Sequence, residues 1–105
     1  MPKLTILNRA QPEWDVIIET NLRVMLGSIL AGLGRIDVEF DAYSDDRGHG
    51  AAYRCQVVMT ELSGAKHLLE NIQPDGKRAI EGALSRGRRL MSRRKYFVRK
   101  VAAGD

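Results

Sequence analysis

Residues 75–95 read DGKRAIEGALSRGRRLMSRRK, and the fold depends on whether this stretch is a disordered basic tail or a packed helix. The last eleven positions, Ser85 to Lys95, hold six basic residues: Arg86, Arg88, Arg89, Arg93, Arg94 and Lys95. A tail would scatter its apolar residues. Here Ile80, Ala83, Leu84, Gly87, Leu90 and Met91 recur at helical spacing and form one stripe, and Asp75 stands where an N-cap belongs. On a helical wheel Arg78 and Arg89 lie opposite the stripe, Arg86 and Arg93 on one flank, and Lys77, Arg88 and Lys95 on the other. The segment is therefore an amphipathic helix with an apolar side and a basic side. Arg94 falls in the stripe, so the helix is expected to have passed the sheet edge there, and residues 96–105 are expected to fray.

The residues before that helix carry strand patterns. "RIDVEFDAYS" (35–44) alternates, with Ile36, Val38, Phe40 and Ala42 on one face and Arg35, Asp37, Glu39 and Asp41 on the other. That is a strand buried on one side only. "YRCQVVMTEL" (53–62) repeats the pattern with Cys55, Val57 and Met59 inward, and the polar, glycine-rich turn between the two makes them a hairpin. A second turn at "SGA" leads to "KHLLENI" (66–72), a weaker strand because both of its faces are mixed.

Upstream, "KLTILN" (3–8) reads as a short strand, and residues 11–34 as a helix opened by Pro12, with Glu13 and Asp15 near its positive end. Trp14, Ile18, Leu22, Met25 and Ile29 form its stripe, and Gly32 and Gly34 are the expected stop through a left-handed cap. The order is β-α-β-β-β-α. The fold class is α+β: a four-stranded, mostly antiparallel sheet with both helices on one face, the first strand joined in parallel through a helical crossover.

The whole chain, 105 residues at 44% hydrophobic, suits a single domain spanning 1–95. No apolar run approaches the roughly 18–20 residues of a membrane span, and the N-terminus lacks a secretory pattern, so a cytoplasmic protein with no membrane partner is expected. The net charge of +4 conceals an asymmetry. Residues 1–75 hold seven basic against eleven acidic side chains, a net of −4, whereas residues 76–105 hold ten against two, a net of +8. A positive field gathered on one helix is what a polyanion selects. Glu81 is the helix's only acid, so the helix bears like-charge repulsion that a bound polyanion would relieve, and arginine outnumbers lysine, which suits phosphate.

Catalysis finds no support. Asp45, Asp46 and His49 read as hairpin-turn residues rather than a metal or acid–base site, and no metal site or cofactor is expected. Cys55 reads as a small inward core residue rather than a thiol nucleophile. No serine-elbow, zinc-helix or paired-carboxylate motif occurs, and no small-molecule substrate is implied. The outward sheet face is mixed in sign, with only Tyr43 and Tyr53 as nearby rings, too few for a sheet that stacks RNA bases.

The order of elements, the Pro12 helix start, the "SDDRGHGAAYRCQVVM" hairpin and the residue 75–95 stretch together resemble the ribosome hibernation promoting factor family, also known as ribosome-associated inhibitors. The resemblance runs from Leu4 to Lys95. Asp75, Ala79, Ile80 and Glu81 fall where the family has Asp, Ala, Ile and Asp, and Arg86, Arg89, Arg93 and Lys95 fall where its second helix is basic. Lys77 departs from the family's aromatic residue at that position, and the first helix, with Arg23 as its only basic residue, lacks the charges often found there. The resemblance implies a monomer that binds the small ribosomal subunit and its rRNA, inhibits translation by occupying the mRNA/tRNA channel, and performs no chemistry. The RNA-contacting set read from the basic helix is Lys77, Arg78, Arg86, Arg88, Arg89, Arg93, Arg94 and Lys95, of which the resemblance itself covers Arg86, Arg89, Arg93 and Lys95. Two other readings remain: a double-stranded-RNA-binding-like module, suggested by "GKRAIEGAL", and a protein adapter whose basic helix docks an acidic partner.

Overall fold

A computed structural model describes residues 2–44 and 50–103, with side chains described for 2–43, 50 and 52–93. The turn residues Asp45, Asp46 and His49, and the side chains of Arg94 and Lys95, lie outside the described residues. The elements run β1 (Lys3–Asn8), α1 (Trp14–Leu26), a 3₁₀ helix (Gly27–Gly32), β2 (Leu33–Ser44), β3 (Ala51–Glu61), β4 (Lys66–Gln73) and α2 (Gly76–Ala103). The expected β-α-β-β-β-α order is the observed one.

The sheet has the order β1-β2-β3-β4. β1 pairs in parallel with β2, through the α1 crossover, while β2–β3 and β3–β4 are antiparallel. Register aligns the inward residues into rows that cross the sheet. Ile6, Val38, Val57 and Leu69 form one row, and Leu4, Ile36, Met59 and His67 the next. Both helices cover this face, where Ile18, Leu22, Leu26, Ile36, Val38, Phe40, Cys55, Val57, Met59, Ile80 and Leu84 are all buried. Alternation in β2 and β3 thus places its side chains as expected, except that Ala42 is exposed.

α1 does not end as its glycines suggest. Regular helix stops at Leu26, and the chain leaves through the 3₁₀ segment; among the described residues positive φ occurs only at Gly50 and Gly64. The tighter winding turns Ile29 and then Leu33 into the core without a left-handed cap. A register shift between Leu33 and Arg35, at Gly34, lets Leu33 and Ile36 both point inward although they are three residues apart. Gly64, at φ +97°, makes the turn between β3 and β4, closed by the Glu61 N–H donating to the Ala65 carbonyl at 2.8 Å.

β4 settles its mixed faces by turning Leu69 and Asn71 toward α2 and leaving Leu68 and Ile72 outside. Tyr53 corrects an expectation. Alternating with Cys55, it faces inward and stacks on Phe40, with ring centroids 5.8 Å apart at 17°, and Trp14 sits against both at 5.0 and 5.6 Å. Tyr43 is then the sole aromatic ring on the outward face among the described residues.

Candidate nucleic-acid interface

Three features seat α2, and its basic face follows from them. The Asp75 carboxylate accepts from the Lys77 N–H at 2.9 Å, and the Asp75 carbonyl accepts the first helical bond from the Ala79 N–H at 3.0 Å, so Asp75 is the N-cap as expected. Ala79, Ile80, Ala83, Leu84 and Met91 are buried and Leu90 partly so, which confirms the stripe and adds Ala79 to it. Gly87 lets the helix lie close to β3 and β4: a β-carbon there would stand 3.0–3.1 Å from Leu69 Cδ1, Met59 Cε and Met59 Sδ.

The third feature was not legible beforehand. Asn71 of β4 is buried, and its Nδ2 donates to the carbonyls of Arg78 (3.1 Å) and Ala79 (3.3 Å), tying the strand to the first turns of α2. Gly82 passes so near that a β-carbon would lie 2.1 Å from Asn71 Nδ2. A polar residue at an inward strand position beside Leu69 was the available signal. A buried amide at such a position requires partners, and the sequence does not say which.

Seated in this way, α2 leaves Lys77, Arg78, Arg86, Arg88, Arg89 and Arg93 exposed. Arg78, Arg88, Arg89 and Arg93 make no side-chain hydrogen bond or ion pair among the described residues, and Lys77 only approaches Glu81, at 3.9 Å. Arg86 differs: its Nη1 donates to the Glu70 carbonyl of β4 at 2.9 Å, so part of its fork covers the sheet edge. Lys77 and Arg78 also stand in the first turn, where the helix dipole disfavours cations and no acid accompanies them. The helix therefore bears its cations against local electrostatics.

The sheet's outward face shows the opposite economy. Arg9 pairs with Glu39 (3.1 Å) and Asp41 (3.2 Å), Arg54 with Asp41 (2.7 Å) and Glu70 (3.0 Å), and Arg35 with Asp37 (2.9 Å). Arg54 also donates to Gln56. These bonds hold Arg9, chiefly through Asp41, and Arg54, chiefly through Glu70, above the ordinary arginine pKa. A face whose guanidinium groups are already bonded to carboxylates has little to offer phosphate, whereas the α2 guanidinium groups are open to it. Cys55 is sealed in the core, and burial pushes its thiol up to about 12, far from a nucleophile's range. Among the described residues no cluster of potential metal ligands occurs, and no helix is long and apolar enough to cross a membrane.

No family model and no curated protein matches the sequence. Solved structures do match its shape. A ribosomal subunit interface protein from Coxiella burnetii superposes with a TM-score of 0.71 at 9% identity, covering 90% of this chain and 98% of that one. The N-terminal domain of Thermus thermophilus Protein Y superposes with a TM-score of 0.65 at 14% identity, covering 89% and 98%. At such identities the likeness is one of fold, and it is the fold that the sequence resemblance implied.

Proposed function

We propose that this chain is a hibernation-promoting factor: a cytoplasmic, non-enzymatic protein that binds the small ribosomal subunit and inhibits translation by occupying its mRNA/tRNA channel. One observation carries the reading. A helix with a single acid presents Arg78, Arg88, Arg89 and Arg93 without protein partners, on a fold shared with a protein described as a ribosomal subunit interface protein. In this reading Lys77, Arg78, Arg86, Arg88, Arg89, Arg93, Arg94 and Lys95 lie along rRNA phosphates while the sheet orients the helix, and inhibition is steric. β1, ahead of the first helix and paired in parallel with β2, argues against a double-stranded-RNA-binding module, which lacks such a strand.

Co-sedimentation with isolated 30S subunits tests the proposal. Wild-type binding should weaken steeply with salt, since each phosphate contact releases counterions. Replacing Arg78, Arg89 and Arg93 by Glu leaves the buried stripe untouched, so the circular dichroism spectrum should be preserved while binding is lost. The same reversal at Lys3, Arg35 and Lys66, on the sheet face, should have a much smaller effect. A folded Arg78/Arg89/Arg93→Glu protein that still co-sediments with wild-type affinity would refute the assignment of α2. Capture that survives RNase would favour an acidic protein partner instead.

A further inference from the structure

Beside the arginine face, α1 and the start of α2 enclose a groove lined by Trp14, Val16, Ile17, Thr20, Asn21 and Lys77. Trp14 lines it, and its ring lies against Gly76 so closely that a β-carbon there would stand 2.6 Å from Trp14 Cη2. Tilted contacts of Trp14 with Phe40, at 47°, and Tyr53, at 52°, hold that ring in place. Val16, 69% exposed, forms an apolar wall on the α1 side. Asn21 donates one Nδ2 hydrogen to the Ile17 carbonyl at 2.8 Å, which leaves Oδ1 as an acceptor and the second Nδ2 hydrogen as a donor. Lys77, two-thirds exposed and only loosely paired with Glu81, stands at the mouth.

We infer that this groove receives one unpaired nucleobase of an RNA strand whose phosphates run along α2. The inference rests on the proposed RNA reading of α2 and names a site that reading does not contain. A rigid aromatic ring, an apolar wall, a hydrogen-bonding amide and a cation at the rim are the elements with which proteins hold an unstacked base. Charge selects a nucleotide over an apolar ligand, because Lys77 belongs to both the groove and the basic face. Along α2, Lys77 and Arg88 share one flank at a separation of about 16 Å, so a strand with its base in the groove can continue along that flank.

Trp14 is the only tryptophan of the chain, so its fluorescence reports on the groove directly. The probes are a short end-labelled single-stranded RNA and an abasic ribose-phosphate strand of equal length, with binding followed by anisotropy. Both strands should bind, the RNA roughly tenfold or more tightly, within the range of base stacking on aromatic side chains. Only the RNA should quench Trp14. Lys77→Gln should weaken the RNA about tenfold and the abasic strand only two- to threefold, whereas Arg89→Gln, away from the groove, should weaken both equally. Equal binding of the two strands with unchanged Trp14 emission, or equal quenching by both, would overturn the base site and leave the arginine reading standing. If neither strand binds, both the site and the RNA reading of α2 fail.

Discussion

Replacing Gly82 by Ala probes the seating on which the whole interface depends. In an isolated helix the change is favourable by about 1 kcal/mol, because alanine restricts the unfolded chain and glycine does not. The structure reverses the sign. The new methyl would stand 2.1 Å from Asn71 Nδ2 and 3.0 Å from its Cγ, so the Asn71 side chain must move. Its bonds to the Arg78 and Ala79 carbonyls then break, and its Oδ1 loses the position in which it accepts from Gln73 Nε2 at 3.3 Å. A buried amide left without partners costs about 1–3 kcal/mol. Forcing a packed side chain aside adds about 1–3 kcal/mol. After the helical gain is subtracted, the net loss is about 1–5 kcal/mol, and for a domain of this size each kilocalorie lowers Tm by about 4–8 °C. Thermal and urea unfolding measure it. In an Asn71→Ala background the obstruction is gone, so Gly82→Ala should there be neutral or stabilising. A Gly82→Ala protein that melts at or above the wild-type temperature would refute the argument that Asn71 and Gly82 set the approach of α2.

Gly87→Val should also destabilise, by about 1–3 kcal/mol, since its methyl groups meet Leu69 and Met59 at already short range; an unchanged Tm would mean that α2 does not pack as described. Arg86→Gln should weaken binding to 30S subunits less than Arg89→Gln, because Arg86 already spends a donor on the Glu70 carbonyl, and equal losses in co-sedimentation would contradict that division. Cys55 should resist thiol reagents at neutral pH until the protein unfolds. Because its folded pKa is raised to about 12 from 9.0, the stability it contributes is complete below pH 9 and is lost as pH rises toward 12. Urea titrations at successive alkaline pH values should therefore show a steeper decline for wild type than for Cys55→Ala.

Periodicity alone determined much of this protein. A strand buried on one face repeats every two residues and a helix every 3.6, so β2, β3 and the stripe of α2 could be read without knowing what they pack against. The concentration of positive charge on α2 is likewise a property of the chain. Other features depended on contacts between segments distant in sequence. β4 is mixed on both faces, and its register was chosen only when Asn71 found the carbonyls of α2. The glycines after α1 permit a left-handed cap, yet the core drew Ile29 and Leu33 inward through a 3₁₀ turn instead. Nothing local separates Arg86, bound to the sheet edge, from Arg89, which is open to a ligand. Nor does the sequence show that Trp14 lines a groove with Lys77, 63 positions away. Periodicity reports which face of an element is apolar. Which polar groups meet across the interface depends on how closely and in what register the elements pack, and that is decided only when the core closes.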